Sequence, residues 1–251
     1  MKIAVFGSSG RMGMEVCRAV SAEPGLELVA GIDVGDSREA ALGADVAVDF
    51  THPDSVLDNI SWCVEHGIGV VVGTTGFTPE RLDLVRGMLG EDPGVGVMIA
   101  PNFAIGAVLM MHFSQVAAPY FESVEIIEAH HAGKADAPSG TAANTARLVA
   151  EARELAGAAA IPDATTHEVD GARGAMISGV RVHSVRLPGL IAQQEVRLAS
   201  SGETLTIVND ARSRSCYMPG VLRGIQWVGS HPGLTVGLEP VLGIVGNQVT
   251  S

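Results

Sequence analysis

Residues 3–13 read Ile-Ala-Val-Phe-Gly-Ser-Ser-Gly-Arg-Met-Gly. The apolar run predicts a short buried strand, and the glycine cluster predicts a tight turn into a helix. The apolar residues expected on the inner face of that helix are Met14, Val16, Cys17 and Val20. A second strand, residues 26–32, follows and ends at Asp33. This order of strand, glycine loop, helix and strand predicts a βαβ unit of a parallel sheet.

Each glycine of the loop has a predicted task. Gly7 is expected to take the turn that ends the strand, Gly10 to let the backbone approach a pyrophosphate, and Gly13 to let the helix lie close to the sheet. The helix start offers N–H groups and a positive dipole end to phosphate. The spacing is GxxGxxG and not GxGxxG, so a turn without a ligand is the alternative. The complete order of elements favours a dinucleotide site.

Asp33 bears on the choice of cofactor. It lies 20 residues after Gly13, where an acid accepts hydrogen bonds from the adenosine ribose hydroxyls. An acid at this position disfavours a 2′-phosphate and therefore favours NADH. Arg11 and Arg38 can each offset the repulsion, so the expected cofactor is NADH or NADPH, with a preference for NADH.

The alternation of apolar runs and helical patterns continues through residue 99. Strands are predicted at residues 46–50, 68–72 and 95–99, and helices at 53–66 and 79–89. Ligands of such sheets bind beyond the carboxyl ends of the strands. The loops at these ends, Gly73-Thr74-Thr75-Gly76-Phe77 and Ala100-Pro101-Asn102, are therefore candidates to line the nicotinamide. The alternative is that the first of them is an ordinary turn.

Residues 128–141 carry the groups best suited to chemistry. A strand is predicted at residues 124–127, and a helix begins after Ser139, its expected N-cap. The apolar positions expected to form the inner face of this helix are spaced three and four apart: Thr145, Leu148, Val149, Ala152, Leu155 and Ala156. The amides of Gly140 and Thr141 would face an anion at the helix start. His130, His131 and Lys134 supply positive charge and transferable protons nearby; Lys134 is one of only two lysines in the chain. The alternative is a strand-to-helix loop with solvated histidines.

The last third of the chain predicts a second sheet. Residues 180–187, 190–198 and 205–208 read as half-exposed antiparallel strands and join residues 124–127 in a sheet of about four strands. Its outer face, with Gln193 and Gln194 exposed, would build an oligomer. A helix at residues 218–227 is expected to pack on the first domain, and residues 233–239 to form a short strand or loop.

The predicted fold class is α/β, with two domains. A Rossmann-like, parallel-sheet dinucleotide domain comprises residues 1–104 and 215–251. An α+β domain for substrate binding and oligomerisation, with an open mixed sheet, comprises residues 105–214.

Composition narrows the function classes. The chain has 251 residues, is 47% hydrophobic and carries a formal net charge of -12, which disfavours nucleic acid and anionic membranes as partners. No secretory leader and no apolar stretch long enough to cross a bilayer is visible, so a cytoplasmic location is expected. The cysteines Cys17, Cys63 and Cys216 are far apart and form no CxxC pair, so no disulfide and no metal site are expected.

The segment Glu128-Ala-His-His-Ala-Gly-Lys-Ala-Asp-Ala-Pro-Ser-Gly-Thr-Ala142 closely resembles the signature of the dihydrodipicolinate reductases (4-hydroxy-tetrahydrodipicolinate reductases) of lysine and diaminopimelate biosynthesis. The likeness extends over most of the chain. It includes residues 7–13, Asp49-Phe-Thr51, residues 73–77, Ala100-Pro-Asn102 and His183-Ser-Val-Arg-Leu187.

This resemblance implies a function and its residues. The family reduces a cyclic, unsaturated dicarboxylate with NADH or NADPH, after loss of water from the hydroxylated ring, and is typically a homotetramer built through the sheets of its substrate domain. His130 would be the acid/base residue and Lys134 the proton donor to the ring carbon. The substrate carboxylates would be bound by His131, Lys134, Ser139, Gly140, Thr141 and Thr75. The cofactor would be held by Gly7, Ser8, Ser9, Gly10, Arg11, Met12, Asp33, Gly73, Thr74, Thr75, Ala100, Pro101, Asn102 and Phe103.

The chain departs from the family pattern at two places. Ala132 and Gly133 stand where the family often has a basic or polar residue, and Ala104 stands where it often has serine. Both departures put affinity and turnover in question. Two alternatives therefore stay open: a reductase of another cyclic imine or imino acid, and a non-catalytic NAD(P)-binding sensor.

Overall fold

The computed structural model describes residues 1–244, and the chain divides into two compact units. Unit 1 comprises residues 1–105 together with the chain from Arg214 onward, and unit 2 comprises residues 106–213. The predicted end of the dinucleotide domain, residues 245–251, lies outside the described residues.

The strands and helices have the following bounds. The strands are β1 Lys2–Phe6, β2 Glu27–Ile32, β3 Val46–Asp49, β4 Gly69–Val72, β5 Gly96–Ile99, β6 Ser123–His130, β7 Ala175–Ile177, β8 Val180–Arg186, β9 Ala192–Ser200, β10 Glu203–Ala211 and β11 Gly233–Val236. The helices are α1 Arg11–Ala22, α2 Val56–Glu65, α3 Pro79–Leu89, α4 Ile105–Ala117, α5 Gly140–Leu155 and α6 Met218–Val228.

Unit 1 is built on a parallel sheet of six strands in the order β11-β5-β4-β3-β1-β2. Every residue of β3, β4 and β5 is buried, as expected for strands covered on both faces. Because all six strands run the same way, the loops after β1, β3, β4 and β5 meet at one edge of the sheet. The Rossmann-like arrangement predicted from the sequence is confirmed.

Local sequence explains where the helices of unit 1 begin and end. The hydroxyl of Thr78 accepts a hydrogen bond from the amide of Arg81, Pro79 takes the first helical position, and Gly90 with a φ of 70° ends α3. The inner face of α1 was predicted less well. Val16 and Val20 are buried, but Met14 is 44% exposed. In the first turn of α1 the buried residue is Gly13, which lies directly against the glycine loop at Gly7.

Unit 2 contains a mixed sheet in the order β10-β9-β6-β8-β7. The sheet has five strands where about four were expected, and β6 pairs in parallel with β8 but antiparallel with β9. Helix α5 contacts β6 and β8 and covers the face that carries Val124, Ile126 and Glu128. The expectation that Gln194 is exposed was wrong: it is buried and donates to the hydroxyl of Thr145 at 2.7 Å.

Two further features of unit 2 differ from the sequence prediction. Helix α4 was not predicted, because apolar residues occupy almost every position and leave no periodic pattern. In α5, Leu155 was expected to face inward but is 70% exposed, whereas Arg153 is buried. The two terminal nitrogens of Arg153 donate to the carbonyls of residues 118, 121, 122 and 159, which supply no negative charge.

Candidate active site

The glycine loop after β1 is as tight as the sequence predicts. Gly7 has a φ of +78°, and a Cβ at this position would lie 2.7 Å from the carbonyl oxygen of Phe50. A Cβ on Gly13 would lie 1.9 Å from the carbonyl oxygen of Gly7, so the first turn of α1 rests directly on the loop. Gly10 is the N-cap of α1 and offers no side chain to the amides of that turn. The helix start therefore suits an external anion.

Asp33 closes this loop from the end of β2. Its Oδ2 accepts from the hydroxyl of Ser8 at 2.7 Å, from the hydroxyl of Ser9 at 2.6 Å and from the amide of Ser9 at 2.8 Å. Hydrogen bonds from Ser9 and Ser8 lower the pKa of Asp33. The amide of Asp33 donates to Asp36 at 2.9 Å, which places a second carboxylate in the same loop. Asp33 thus orders the glycine loop through Oδ2, a task that the sequence reading did not include.

A buried carboxylate orders the loop after β4. Asp49, at the end of β3, is fully buried and accepts from the hydroxyl of Thr74 at 3.0 Å, from the side-chain amide of Asn59 at 2.7 Å, and from both the amide and the hydroxyl of Thr51. Thr74 is therefore buried and turned toward Asp49, whereas Thr75 is exposed. Of the two threonines predicted to bind, Thr74 holds the loop and Thr75 is the one free to face a ligand.

Aromatic rings form the floor at this end of the sheet. A Cβ on Gly73 would lie 2.0 Å from the ring of Phe50, so only glycine fits there. The rings of Phe50 and Phe103 are 6.0 Å apart, and both Phe103 and Ala100 are buried. Asn102 accepts from the amide of Ala104 at 2.8 Å. These residues shape the sheet edge where the sequence predicts the nicotinamide.

In unit 2, His130 is the last residue of β6 and not a loop residue. Its Nδ1 lies 2.5 Å from Oε2 of Glu128, two residues earlier on the same face of the strand. Burial lowers the pKa of His130, and this effect outweighs the opposing influence of Glu128. The positive charges of Lys134 and Arg186 lower it further. His130 is therefore mainly neutral near pH 7.

Lys134 lies in the loop that leads to α5. Its ammonium is 2.7 Å from Oδ1 of Asp136, and its amide donates to the carbonyl of His131. The pKa of Asp136 is lowered, first by the hydrogen bond from Lys134 and also by the amide of Gly140. Lys134 and the start of α5 thus already share one carboxylate in the protein. Ala132 and Gly133 are exposed, and the contact between Lys134 and Asp136 forms without a basic side chain at either position.

The start of α5 agrees with the prediction for Ser139. Ser139 is the N-cap, and its hydroxyl accepts from the amide of Ala142 at 3.2 Å. Its own amide donates to Oε1 of Glu128 at 3.2 Å. Gly140 is exposed, with no atom near the place a Cβ would occupy. The helix start is open at Gly140 and anchored at Ser139.

The structure brings the predicted site residues together in two groups, one in each unit. Residues 7–12, 33, 73–75 and 100–103 lie in unit 1, and residues 130, 131, 134 and 139–141 lie in unit 2. Sequence reasoning gave no role to Asp49, Phe50, Glu128 or Arg186. Asp49 ends a fully buried strand, and a charged residue in such a strand was the available signal. Glu128 lies among buried apolar residues of β6, which is a weaker signal of the same kind.

Comparisons with known proteins match almost the whole chain. Residues 1–103 match the family model "Dihydrodipicolinate reductase, N-terminus", and residues 106–242 match "Dihydrodipicolinate reductase, C-terminus". The 4-hydroxy-tetrahydrodipicolinate reductase of Thermobifida fusca is 61% identical over 245 residues, covering 97% of this chain and 100% of the relative. That of Nocardia farcinica is 58% identical, covering 96% and 98%.

Solved structures show the same fold. A dipicolinate-bound dihydrodipicolinate reductase from Paenisporosarcina sp. TG-14 has a TM-score of 0.83 at 37% identity, covering 96% of this chain and 98% of that one. A probable dehydrogenase from Thermotoga maritima, at 12% identity and a TM-score of 0.61, shares the fold alone. No helix within residues 1–244 is long and apolar enough to span a membrane.

Proposed function

The chain belongs to the dihydrodipicolinate reductase family, and on this premise we propose which of its residues bind the substrate, move the proton and hold the cofactor. It is an NAD(P)H-dependent oxidoreductase that reduces 4-hydroxy-tetrahydrodipicolinate to tetrahydrodipicolinate in lysine and diaminopimelate biosynthesis. The observation that carries the assignment of residues is the cluster of His130, Lys134 and the start of α5 within one unit.

The carboxylates of the substrate are bound by Lys134, His131 and the start of α5. The contact of Lys134 and the Gly140 amide with Asp136 supports this, because these donors already accommodate a carboxylate. Amides at a helix start and a lysine ammonium are suited to anions for the same electrostatic reason. Ser139 contributes by fixing the helix start, and Gly140 and Thr141 offer their amides. Thr75 remains the predicted contact from unit 1.

His130 and Lys134 handle the proton. His130 is mainly neutral before the substrate arrives, since burial lowers its pKa. A bound dicarboxylate brings negative charge close to the imidazole, which favours the protonated form and raises that pKa. Lys134 lies near enough to His130 to lower its pKa and is a second proton donor. Protonation of the ring by one of these groups completes the reduction.

The residues of unit 1 fit a dinucleotide. Gly7 and Gly13 leave no room for a Cβ, the start of α1 has no side-chain cap, and Asp33 stands beside the loop. Residues 7–12 would hold the pyrophosphate, Asp33 the adenosine ribose, and the loops at residues 73–75 and 100–103 the nicotinamide. When bound, the nicotinamide supplies the hydride.

NADH is the preferred cofactor in this proposal. Asp33 is ionised, and Asp36 adds a second carboxylate to the same loop, so a 2′-phosphate would meet two negative charges. Replacing Asp33 with alanine is expected to raise the ratio of kcat/KM for NADPH to that for NADH by about tenfold, which corresponds to ~1.4 kcal/mol. An unchanged ratio in Asp33→Ala would contradict the assignment of this carboxylate.

The protein is proposed to act in the cytoplasm as a homo-oligomer, with a tetramer expected. One face of the sheet in unit 2 points away from α5. Ile127 on β6, Val185 on β8 and Val208 on β10 lie on this face. Val208 is 51% exposed, and Met176 on the same face is 54% exposed. The same face carries charged residues such as Glu195 and Arg197, and exposed apolar side chains set among polar ones favour an interface with another chain. Light scattering should give four chains, and Val208→Asp should lower that number.

The reductase assignment is tested by following nicotinamide oxidation with substrate generated in the cuvette from pyruvate and aspartate semialdehyde by the preceding synthase. NADH and NADPH are compared in parallel, and the expected result is rapid oxidation that depends on the synthase. Protein that binds NADH but oxidises neither cofactor under these conditions would overturn the assigned substrate and point to another cyclic imine.

A further inference from the structure

Glu128 is a buried carboxylate to which the proposed mechanism gives no task. It is fully buried on β6, on the strand face covered by α5, two residues before His130. An ionised carboxylate in such a position is costly unless several donors compensate it. The identity of these donors therefore indicates what Glu128 does.

Hydrogen-bond donors from four residues surround Glu128: Arg186, His130, Ser139 and Ser184. Arg186 on β8 binds it with both terminal nitrogens, at 2.9 Å to Oε2 and 2.8 Å to Oε1. His130 is 2.5 Å from Oε2, and the amide of Ser139 is 3.2 Å from Oε1. Burial raises the pKa of Glu128, but hydrogen bonds from Arg186, Ser184 and His130 together lower it below its ordinary value. Glu128 is therefore ionised and accepts every one of these hydrogen bonds.

An ionised Glu128 fixes the tautomer of His130. Because the carboxylate has no proton to donate, Nδ1 of His130 must carry the hydrogen between them. In the neutral imidazole, Nε2 is then the atom with the lone pair that accepts a proton and later releases it. The side chain of His130 is only 14% exposed, so burial and the contact with Glu128 both disfavour a flipped ring.

The other oxygen of Glu128 fixes the place where the substrate carboxylate is proposed to bind. Oε1 accepts from the amide of Ser139, the residue immediately before Gly140. Arg186 extends the same connection, because it also donates to the carbonyl of Asp136 at 2.7 Å. One carboxylate thus joins the acid/base residue to the loop and the helix start that follow it.

We propose that Glu128 is a positioning residue of the reductase, which holds His130 with Nε2 as its reactive nitrogen and holds the start of α5 at a fixed distance from it. This inference rests on the proposed function of His130 and of the α5 start. Arg186 compensates the charge of Glu128, so that the carboxylate stays ionised while buried.

Glu128→Gln removes the charge and keeps the shape. An amide cannot accept at both ends, so one nitrogen of Arg186 or the Nδ1 of His130 faces a donor instead of an acceptor. The expected result is a fall in kcat of at least ~100-fold, as for loss of the group that orients a catalytic histidine. The Kd of NADH, which is bound by unit 1, should change by less than about twofold.

A matched control lies on the same strand. Glu125 is also on β6 and is also paired with an arginine and a histidine, Arg173 and His183, but it lies on the opposite face. Glu125→Gln therefore removes an equivalent charge network at a distance from His130. Its kcat should stay within about threefold of wild type. Light scattering on both variants checks that the number of chains in the assembly is unchanged.

A double-mutant cycle separates positioning from structure. If Glu128 acts through His130, then adding Glu128→Gln to His130→Gln should cost less than about tenfold, far below its cost in the wild type. A large loss in His130→Gln with no loss in Glu128→Gln would overturn the inference and leave the proposed function standing. A small loss in His130→Gln would overturn the role of His130 itself, and the inference with it.

The tautomer of His130 can be measured by NMR in the wild-type protein. The ¹⁵N shifts of the His130 ring in the holoenzyme should show the hydrogen on Nδ1 near pH 7, and Glu128→Gln should shift the ring toward the other tautomer. A wild-type ring with its hydrogen on Nε2 would contradict the inference. This measurement decides the matter even if Glu128→Gln does not fold.

Discussion

The ammonium of Lys134 lies 2.7 Å from the carboxylate of Asp136, two residues later in the loop between β6 and α5. The side chain of Asp136 is 55% exposed and that of Lys134 is 22% exposed. Ion pairs with this degree of solvent contact contribute only ~0–1 kcal/mol to stability. The ion pair therefore contributes little to stability and does not explain why a lysine, one of two in the chain, lies at this position. Binding of a substrate carboxylate by the ammonium explains it better.

Lys134→Ala should lower kcat by at least ~100-fold, because it removes a proton donor and a carboxylate ligand. The free energy of unfolding should fall by less than about 1 kcal/mol, since the ion pair is partly solvated. Steady-state kinetics and urea unfolding of the same preparation give both numbers.

Asp136→Asn is the matched control, since it removes the same ion pair and keeps the ammonium. We expect its kcat to stay within about tenfold of wild type. Equal losses of activity in the two variants would mean that Lys134 acts only through its contact with Asp136.

Thr74→Val should weaken cofactor binding. The hydroxyl of Thr74 ties the loop after β4 to the buried Asp49, and valine keeps the shape but not the hydrogen bond. We expect the Kd of NADH, measured by fluorescence titration, to rise about five- to tenfold, which corresponds to ~1 kcal/mol for one lost hydrogen bond.

Thr51→Val provides the comparison for Thr74→Val. Thr51 donates to the same Oδ1 of Asp49, but from the loop after β3. Its replacement should raise the Kd of NADH by less than about twofold, because the loop at residues 73–77 keeps its anchor. An equal rise in both variants would show that the network matters for general stability and not for the position of that loop.

Arg153→Leu should destabilise unit 2. Burial lowers the pKa of Arg153, and its guanidinium donates to four backbone carbonyls that lie on both sides of α5 in sequence. Leucine would remove the donor from these carbonyls, of which that of Ala118 is buried and the others lie in partly buried contacts, at a cost of about 2–4 kcal/mol in the free energy of unfolding. Chemical denaturation of the variant gives this value.

Arg147, exposed on the same helix, is the control for Arg153. Arg147→Leu should change the free energy of unfolding by less than about 0.5 kcal/mol, as surface substitutions usually do. If the two variants unfold alike, the carbonyl contacts of Arg153 contribute nothing measurable.

The sequence predicted those parts of the fold that depend on local pattern. Helix α3 begins at Pro79 and ends at Leu89 as expected, since its N-cap, proline and terminal glycine are adjacent in sequence. Helix α4 was missed because an apolar residue at almost every position gives no periodic signal. Met14 and Leu155 were placed inward by spacing alone, but they are 44% and 70% exposed, so spacing did not identify the buried face at these two positions.

In the candidate site, too, the residues grouped in one stretch of sequence were predicted, and those that depend on partners far away in sequence were not. His130, Lys134 and Ser139 were found because all three lie inside one short signature segment, residues 128–142. Glu128 lies in the same segment, but its role could not be predicted, because its main partner Arg186 is 58 residues away in sequence and comes close only through the parallel pairing of β6 with β8. Asp49 was passed over for a similar reason, since Thr74 is 25 residues away.

The central claim is that the start of α5 and Lys134 bind the substrate dicarboxylate. Its most direct test is to titrate dipicolinate, an unreactive aromatic dicarboxylate, into the ¹⁵N-labelled NADH complex and follow the backbone amides. Saturable shifts at Gly140 and Thr141, with an affinity at least ~10-fold weaker in Lys134→Ala, are the predicted result. Saturable binding that leaves these amides unmoved, or that is equally tight in Lys134→Ala, would contradict the account.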